Sequence, residues 1–245
     1  MPAMRTPIAP LSTAGARAIG QTADGGKKVD EMDTAGQERS DGSARALLSR
    51  ADPVLARLIA RQGPVDLWAW RRDWPAEPFG LLLRIIVGQQ ISTGAANAIF
   101  ARLRDVLASD LSPGAVALRS DDELRAAGLS RAKLAALRDL SARAAAGELT
   151  LETLATASDD EVRRRLLAVR GVGAWTVELF LLALGRADAL PAADVGLRRA
   201  VRAAYGLDRL PAPAEVEALG ERWRPHRSLA AAYLYRSLHE KPASA

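Results

Sequence analysis

Across residues 53–238 the apolar positions recur at helical spacing, in segments divided by glycine, proline or short polar turns. Asp52-Pro53 supplies an N-cap followed by proline at a first helical position. Val54, Leu55, Leu58 and Ile59 form the stripe of that helix, and Gly63-Pro64 stops it. A second helix opens at Pro78, carries Phe79, Leu82, Leu83, Ile86 and Val87 inward, and stops at Gly88-Gln89-Gln90-Ile91-Ser92. Ser92 or Thr93 caps the next, with Ala96, Ile99, Phe100, Leu103 and Leu107 on its apolar face. Ser120-Asp121-Asp122-Glu123 and Ser158-Asp159-Asp160-Glu161 both read as capping boxes. The first predicts a short helix to Gly128 and the second the helix running up to Val169, with a longer helix over 130–146 between them. Beyond Gly185, a helix is expected from Asp194 to Tyr205-Gly206. A last pair is expected over 214–222 and 225–238, with Pro225 at the first position of the second. No stretch alternates apolar and polar residues long enough to be a strand. The expected fold is all-α, and any sheet would be small and precede Trp74.

The shortest break in this pattern is Gly171-Val172-Gly173, between a segment ending at Val169 and one resuming at Trp175, Leu179, Leu182 and Leu184. Helices joined so briefly must fold back on each other. The glycines open backbone conformations closed to other residues and leave the hairpin N–H groups bare. The following helix begins there with its positive dipole end exposed, a seat for an anion such as a DNA phosphate. A tight turn with no ligand would carry the same three residues. One helix and one loop further on, Asp194 stands where an N-cap belongs. N–H groups that donate to a carboxylate favour its charged form. Gly196, inside the first helical turn, removes a side chain where something can approach the backbone closely.

Trp68, Trp70 and Trp74 crowd a short segment rich in proline and charge. They either plug a seam between lobes or line a pocket for a flat ligand. Trp223-Arg224-Pro225-His226-Arg227-Ser228 is either a polar elbow or a set of phosphate contacts.

The 245-residue chain carries a net charge of +5, almost all of its positive charge being arginine. That leans toward a polyanionic partner without requiring one. It has no cysteine, which excludes disulfides, cysteine zinc sites and a cysteine-ligated iron–sulfur cluster. His226 and His239 are its only histidines, too few for a multi-histidine metal centre. No run of about 18 apolar residues exists to span a membrane. Residues 1–43 lack Phe, Tyr and Trp and any sustained apolar period, so they are expected to be a disordered tail, with one domain over 44–245.

A glycine hairpin followed by an aspartate at a helix start resembles the helix–hairpin–helix DNA glycosylases, and most of all their 3-methyladenine DNA glycosylase II branch. The residues that carry the resemblance are Pro78-Phe79 with Arg84-Ile85-Ile86-Val87-Gly88-Gln89-Gln90-Ile91-Ser92, then Gly128-Leu129-Ser130-Arg131-Ala132-Lys133. They continue in Arg170-Gly171-Val172-Gly173-Ala174-Trp175-Thr176, Leu190-Pro191-Ala192-Ala193-Asp194-Val195-Gly196-Leu197 and Trp223-Arg224-Pro225-His226-Arg227-Ser228.

The resemblance implies two helical lobes with the active site in the cleft between them. It makes Asp194 the catalytic carboxylate and Gln90 the wedge that fills the gap left by an extruded nucleotide. Trp175, with Trp70 and Trp68, would form the base pocket; Trp175 stands where lyase-active members carry a Schiff-base lysine. Gln89, Ser92, Gly171, Val172, Gly173, Thr176 and Arg227 would contact DNA, with an alkali ion held by carbonyls near Arg170 and Val172. The expected protein is a monomer acting on damaged duplex DNA in a bacterial cytoplasm, with no cofactor and no membrane. It would release alkylated purines without cutting the strand, in a compact form lacking the extra N-terminal β-rich domain of longer members. Leu179 is aliphatic where some members place an aromatic. A glycosylase for deaminated or oxidised purines, a DNA-binding module without chemistry and a protein–protein scaffold are the other readings.

Overall fold

The computed structural model describes residues 42–66, 71–238 and 240, and every regular element among them is helical. The expectation of an all-α fold holds, and no strand occurs among the described residues. Trp68, Trp70 and His239, and the tail up to residue 41, lie outside the described residues; residues 42 and 43 already belong to the first helix, α1, over 42–51.

The helices sort into two lobes, each around its own apolar core. The first lobe is organised around α3 (Pro78–Gly88), whose residues are apolar on nearly every side and buried from Phe79 to Val87. Against it pack α4 (Thr93–Val106), α7 (Arg131–Ala145), α8 (Leu151–Thr156) and α10 (Ala174–Leu184). The short helices α5 (Pro113–Ala117) and α6 (Asp121–Ala126) cover α7, and α9 (Asp159–Leu167) packs on α10. The second lobe is built from both ends of the described chain. It joins α1 and α2 (Pro53–Gln62) to α11 (Val195–Tyr205), α12 (Pro213–Gly220) and α13 (Arg227–Ser237) around Leu48, Leu55, Leu197, Val201, Trp223 and Tyr233. Because α10 ends one lobe and α11 begins the other, the loop 185–194 carries the chain across the cleft.

Local signals account for most boundaries. Ser120 and Glu123 close their capping box in both directions. The second box forms by half. Ser158 Oγ accepts from the Glu161 N–H at 3.3 Å, but the Glu161 carboxylate is taken by Arg164 and Arg165 instead of reaching back. The expected helix start at Pro225 is also corrected: α13 begins at Arg227, since His226 is its N-cap and the His226 N–H donates to Trp223 O at 2.8 Å. The residues expected as one helix over 214–222 divide into α12 and a 3-10 turn, Glu221–Trp223. Asp52 does more than cap. It is fully buried and also accepts from Tyr205 Oη at 2.5 Å and Trp223 Nε1 at 3.0 Å, tying α2 to α11 and the 3-10 turn.

Candidate active site

A cavity of about 730 Å³ lies in the cleft. α10 contributes Trp175, Leu179 and Leu182, α3 contributes Arg84 and Ile85, and the far lobe contributes Asp194 and Tyr235. Asp194 is the N-cap of α11. Its Oδ1 accepts from the Leu197 N–H at 2.9 Å and from Tyr235 Oη at 2.9 Å, while Oδ2 accepts from Trp175 Nε1 at 3.1 Å. Donors from α10, α11 and α13 therefore fix the carboxylate plane, and among the described residues one Oδ2 lone-pair direction has no partner. Burial first, and then the Asp194 charge, push the Tyr235 phenol well above its ordinary value, so it stays a donor throughout the working pH range.

The approach anticipated at Gly196 is made by these same groups. A Cβ on Gly196 would lie 2.9 Å from Asp194 Oδ1 and 3.3 Å from Tyr235 Cε1. Alanine there gains helix propensity, so stability should change little, but it displaces the carboxylate or the phenol. Gly196→Ala is expected to lower the turnover rate about tenfold, on the scale by which small misplacements disable a site, with the melting temperature almost unchanged. Parallel thermal melts and single-turnover base release check this.

Of the three clustered tryptophans, Trp74 is the described one, and it lines the cavity; the assignments of Trp68 and Trp70 to the pocket fall outside the described residues. The Arg84 guanidinium stacks over the Trp74 ring at 4.7 Å and the Phe100 ring at 5.6 Å, and Nη2 donates to Asn97 Oδ1 at 2.5 Å. Only 5 % exposed, it has no carboxylate within ion-pair distance among the described residues, and burial pushes its pKa down.

The hairpin differs from its expected form in detail. Gly171 has a φ of +74°, and a Cβ there would meet Ala136 Cβ at 3.1 Å, so both the conformation and the packing call for glycine. Gly173 is extended, and a Cβ there would meet nothing within 4 Å. The backbone there is open to approach, the other property anticipated of the hairpin glycines. Most helices of the first lobe, among them α4, α5, α6, α7 and α9, have a serine side chain on their first N–H groups; α10 has none. The N–H groups of Gly173, Ala174, Trp175 and Thr176 meet no acceptor among the described residues. The carbonyls of Arg170 and Val172 likewise accept nothing there, which suits a cation; Gly171 O does not share that freedom, because Gln89 Nε2 donates to it at 3.0 Å.

Several residues expected to touch DNA are spent inside the protein. Thr176 is 2 % exposed and its Oγ1 accepts from Gln89 Nε2 at 2.9 Å, so only its N–H can face a ligand. The Val172 side chain belongs to the first core. Arg227, expected on a phosphate, is 8 % exposed; its Nε donates to Asp188 Oδ1 at 2.8 Å and its Nη2 to Asp188 O at 2.7 Å. With Ser228 Oγ donating to Arg186 O at 2.6 Å, it braces the crossing loop, so these two side chains of the 223–228 corner serve as a polar elbow. Ser92 is exposed and caps α4 through the Ala95 N–H. Gln90 is exposed beside the cleft with a φ of +57°, a left-handed conformation unusual for a side-chain-bearing residue.

No cluster of His, Asp and Glu suited to a metal ion occurs among the described residues, and no described helix is long and apolar enough to cross a membrane. The sequence profile of the HhH-GPD superfamily of base excision DNA repair proteins matches residues 83–225. A relative from Schizosaccharomyces pombe, DNA-3-methyladenine glycosylase 1, is 33 % identical over 165 residues, covering 66 % of this chain and 72 % of that one. A putative DNA-3-methyladenine glycosylase of Bacillus subtilis is 29 % identical over 65 % of this chain and 58 % of its own. Among solved structures, the 3-methyladenine DNA glycosylase of Schizosaccharomyces pombe in complex with abasic DNA superposes with a TM-score of 0.73 at 28 % identity. It covers 83 % of this chain and 100 % of that one.

Proposed function

Because the chain belongs to the HhH-GPD superfamily of base excision DNA repair proteins, we propose that it is a monofunctional DNA glycosylase releasing alkylated purines from duplex DNA, in the manner of the 3-methyladenine DNA glycosylase II branch. The observation that carries this reading is the Asp194 carboxylate, fixed at the mouth of an aromatic-lined cavity within hydrogen-bond reach of the Trp175 indole. The 3-methyladenine DNA glycosylases among its relatives support it.

The mechanism follows from the placement of these groups. The uncapped start of α10 and the open face at Gly173 receive a phosphate; the Arg170 and Val172 carbonyls would hold an alkali ion, which would add positive charge there. The target nucleotide leaves the stack at a cost of a few kcal/mol, least for a weakly paired lesion, and Gln90 enters the gap. An alkylated purine carries positive charge and stacks on Trp175, a contact worth about 0.5–2 kcal/mol. The C1′–N bond then breaks with its electron pair moving to the purine, which departs neutral, and the sugar becomes cation-like. The Asp194 charge stabilises that sugar and its free Oδ2 direction orients a water, whose oxygen adds to C1′ as its proton passes to Asp194 Oδ2. The product is an intact strand with an abasic site.

Methylated duplex DNA tests the reading. Wild type is expected to release 3-methyladenine or 7-methylguanine, with strand nicks only after hot alkali, and borohydride is expected to trap no covalent adduct, since an indole cannot form a Schiff base. Nicking without alkali would sink the monofunctional assignment. Arg84 favours a second reading for the same pocket. An unpaired guanidinium repels a cationic base and can donate to a carbonyl, so a duplex containing hypoxanthine belongs in the same assay, and preferential release from it would select the deaminated-purine reading.

A further inference from the structure

The Gln89 amide bridges two parts of the molecule that a base-flipping enzyme uses for different tasks. Gly171 O can only accept, so the Gln89 amide must turn its NH₂ group to the hairpin, and both hydrogens are used, one on Gly171 O at 3.0 Å and one on Thr176 Oγ1 at 2.9 Å. The next residue, Gln90, is exposed and sits at a φ of +57°. Such a conformation persists when its surroundings over-determine it. Here they do so from both sides. Lys133, 9 % exposed, donates through Nζ to Val87 O at 2.8 Å and fixes the end of α3 before the turn. The Gln89 side chain fixes the turn itself to the hairpin. From the same helix as Lys133, Asp139 Oδ2 accepts from the Arg170 N–H at 2.8 Å, and Ala136 packs under Gly171. α7 is thus the common support of both parts.

We propose that Gln89 is a positioning residue that couples hairpin docking to wedge insertion: it holds the Gln90 turn at a fixed height above the phosphate-binding hairpin, so that seating the hairpin on the backbone drives Gln90 into the stack. The proposal rests on the base-flipping function proposed above. Gln89 makes no contact with DNA in this scheme and acts through Gln90. Removing its amide leaves the hairpin N–H groups where they are and lets the turn relax.

The test is a double-mutant cycle on duplex DNA with a 2-aminopurine beside the lesion, whose fluorescence reports unstacking. Gln89→Ala should reduce both the unstacking signal and single-turnover base release about tenfold, as expected for two lost hydrogen bonds. Its affinity for undamaged duplex and the salt slope of that binding should match wild type, because hairpin docking is intact. Gln90→Ala should show the same defects, and the double variant should be no worse than Gln90→Ala alone. Thr176→Val, which removes one acceptor and keeps the fold's apolar filling, should give an intermediate loss. Multiplying losses in the double variant, or weakened binding to undamaged duplex with normal unstacking at saturation, would overturn the proposal. A wild-type protein that neither binds duplex nor releases base would instead overturn the glycosylase reading on which it stands.

Discussion

Asp194→Asn is expected to lower base release from methylated duplex DNA by about 10²–10³-fold, the usual effect of removing a charge aimed at a developing transition-state charge. The substitution is informative because it spares the fold. Asparagine caps a helix as well as aspartate does, so α11 should keep its start and the melting temperature should hold. What changes is the charge and one acceptor. The Asn Oδ1 must take the Leu197 N–H and the Tyr235 hydroxyl, which are both donors. Its Nδ2 then faces Trp175 Nε1, donor against donor, where the carboxylate had accepted at 3.1 Å. The indole loses its anchor, and affinity for lesion-bearing DNA should weaken about threefold to tenfold, the scale of one hydrogen bond. Binding to undamaged duplex should not change, because the hairpin is untouched. Trp175→Phe separates the two effects: it keeps a six-membered ring for the base, loses the N–H together with the pyrrole ring, and leaves the carboxylate in place, so it should share the affinity defect and retain most of the rate at saturation. Equal release by wild type and Asp194→Asn would remove the carboxylate from the mechanism.

The pair Gly171-Val172-Gly173 and Asp194 was legible because each is a local device. A hairpin and an N-cap are written in consecutive residues, and so were the boundaries of α2, α3, α4 and α11. Tyr235 was not legible. It reaches Asp194 from 41 residues away, and nothing local distinguishes it from any half-buried tyrosine. The trace it leaves is Gly196, whose missing side chain signalled a close approach without saying by what. Thr176, Gln89 and Arg227 mark the opposite failure. A polar residue beside a binding motif has the same sequence whether it faces a ligand or satisfies a neighbour, and only the folded chain brings Asp188 to Arg227 or Gly171 O to Gln89. Arg84 was quoted as part of a motif, but its lack of a carboxylate partner among the described residues is a property of the packed core.

The largest stability effect is expected far from the chemistry, at Asp52. Replacing it by alanine should lower the free energy of unfolding by about 3–5 kcal/mol, combining the loss of an N-cap with stranded Tyr205 and Trp223 donors. Asp52 and Trp223 are both fully buried, so the indole donor is stranded away from water, while Tyr205 is half-buried. Tyr205→Phe, which removes one donor and leaves the carboxylate with the Trp223 and Val54 N–H groups, should cost about 1–1.5 kcal/mol. Urea unfolding monitored by circular dichroism measures both. Burial by itself would raise the Asp52 carboxyl, but hydrogen bonds from Tyr205, Trp223, Val54 and Leu55 outweigh it and hold the group below its ordinary value. A depressed carboxyl stabilises the fold above its unfolded pKa. That contribution should be whole above pH about 5 and fade as the pH falls through the unfolded value near 4 and then the lower folded one. Asp52→Asn, which cannot titrate, should lack this part of the acid dependence, and parallel stability profiles for the two proteins between pH about 5 and 2 would refute the assignment. The consequence reaches the site through the lobe. Asp52 ties α2 to α11 and the turn before α13, the two helices that present Asp194 and Tyr235, so its loss should reduce activity by depleting folded enzyme while leaving the rate per folded molecule near that of wild type.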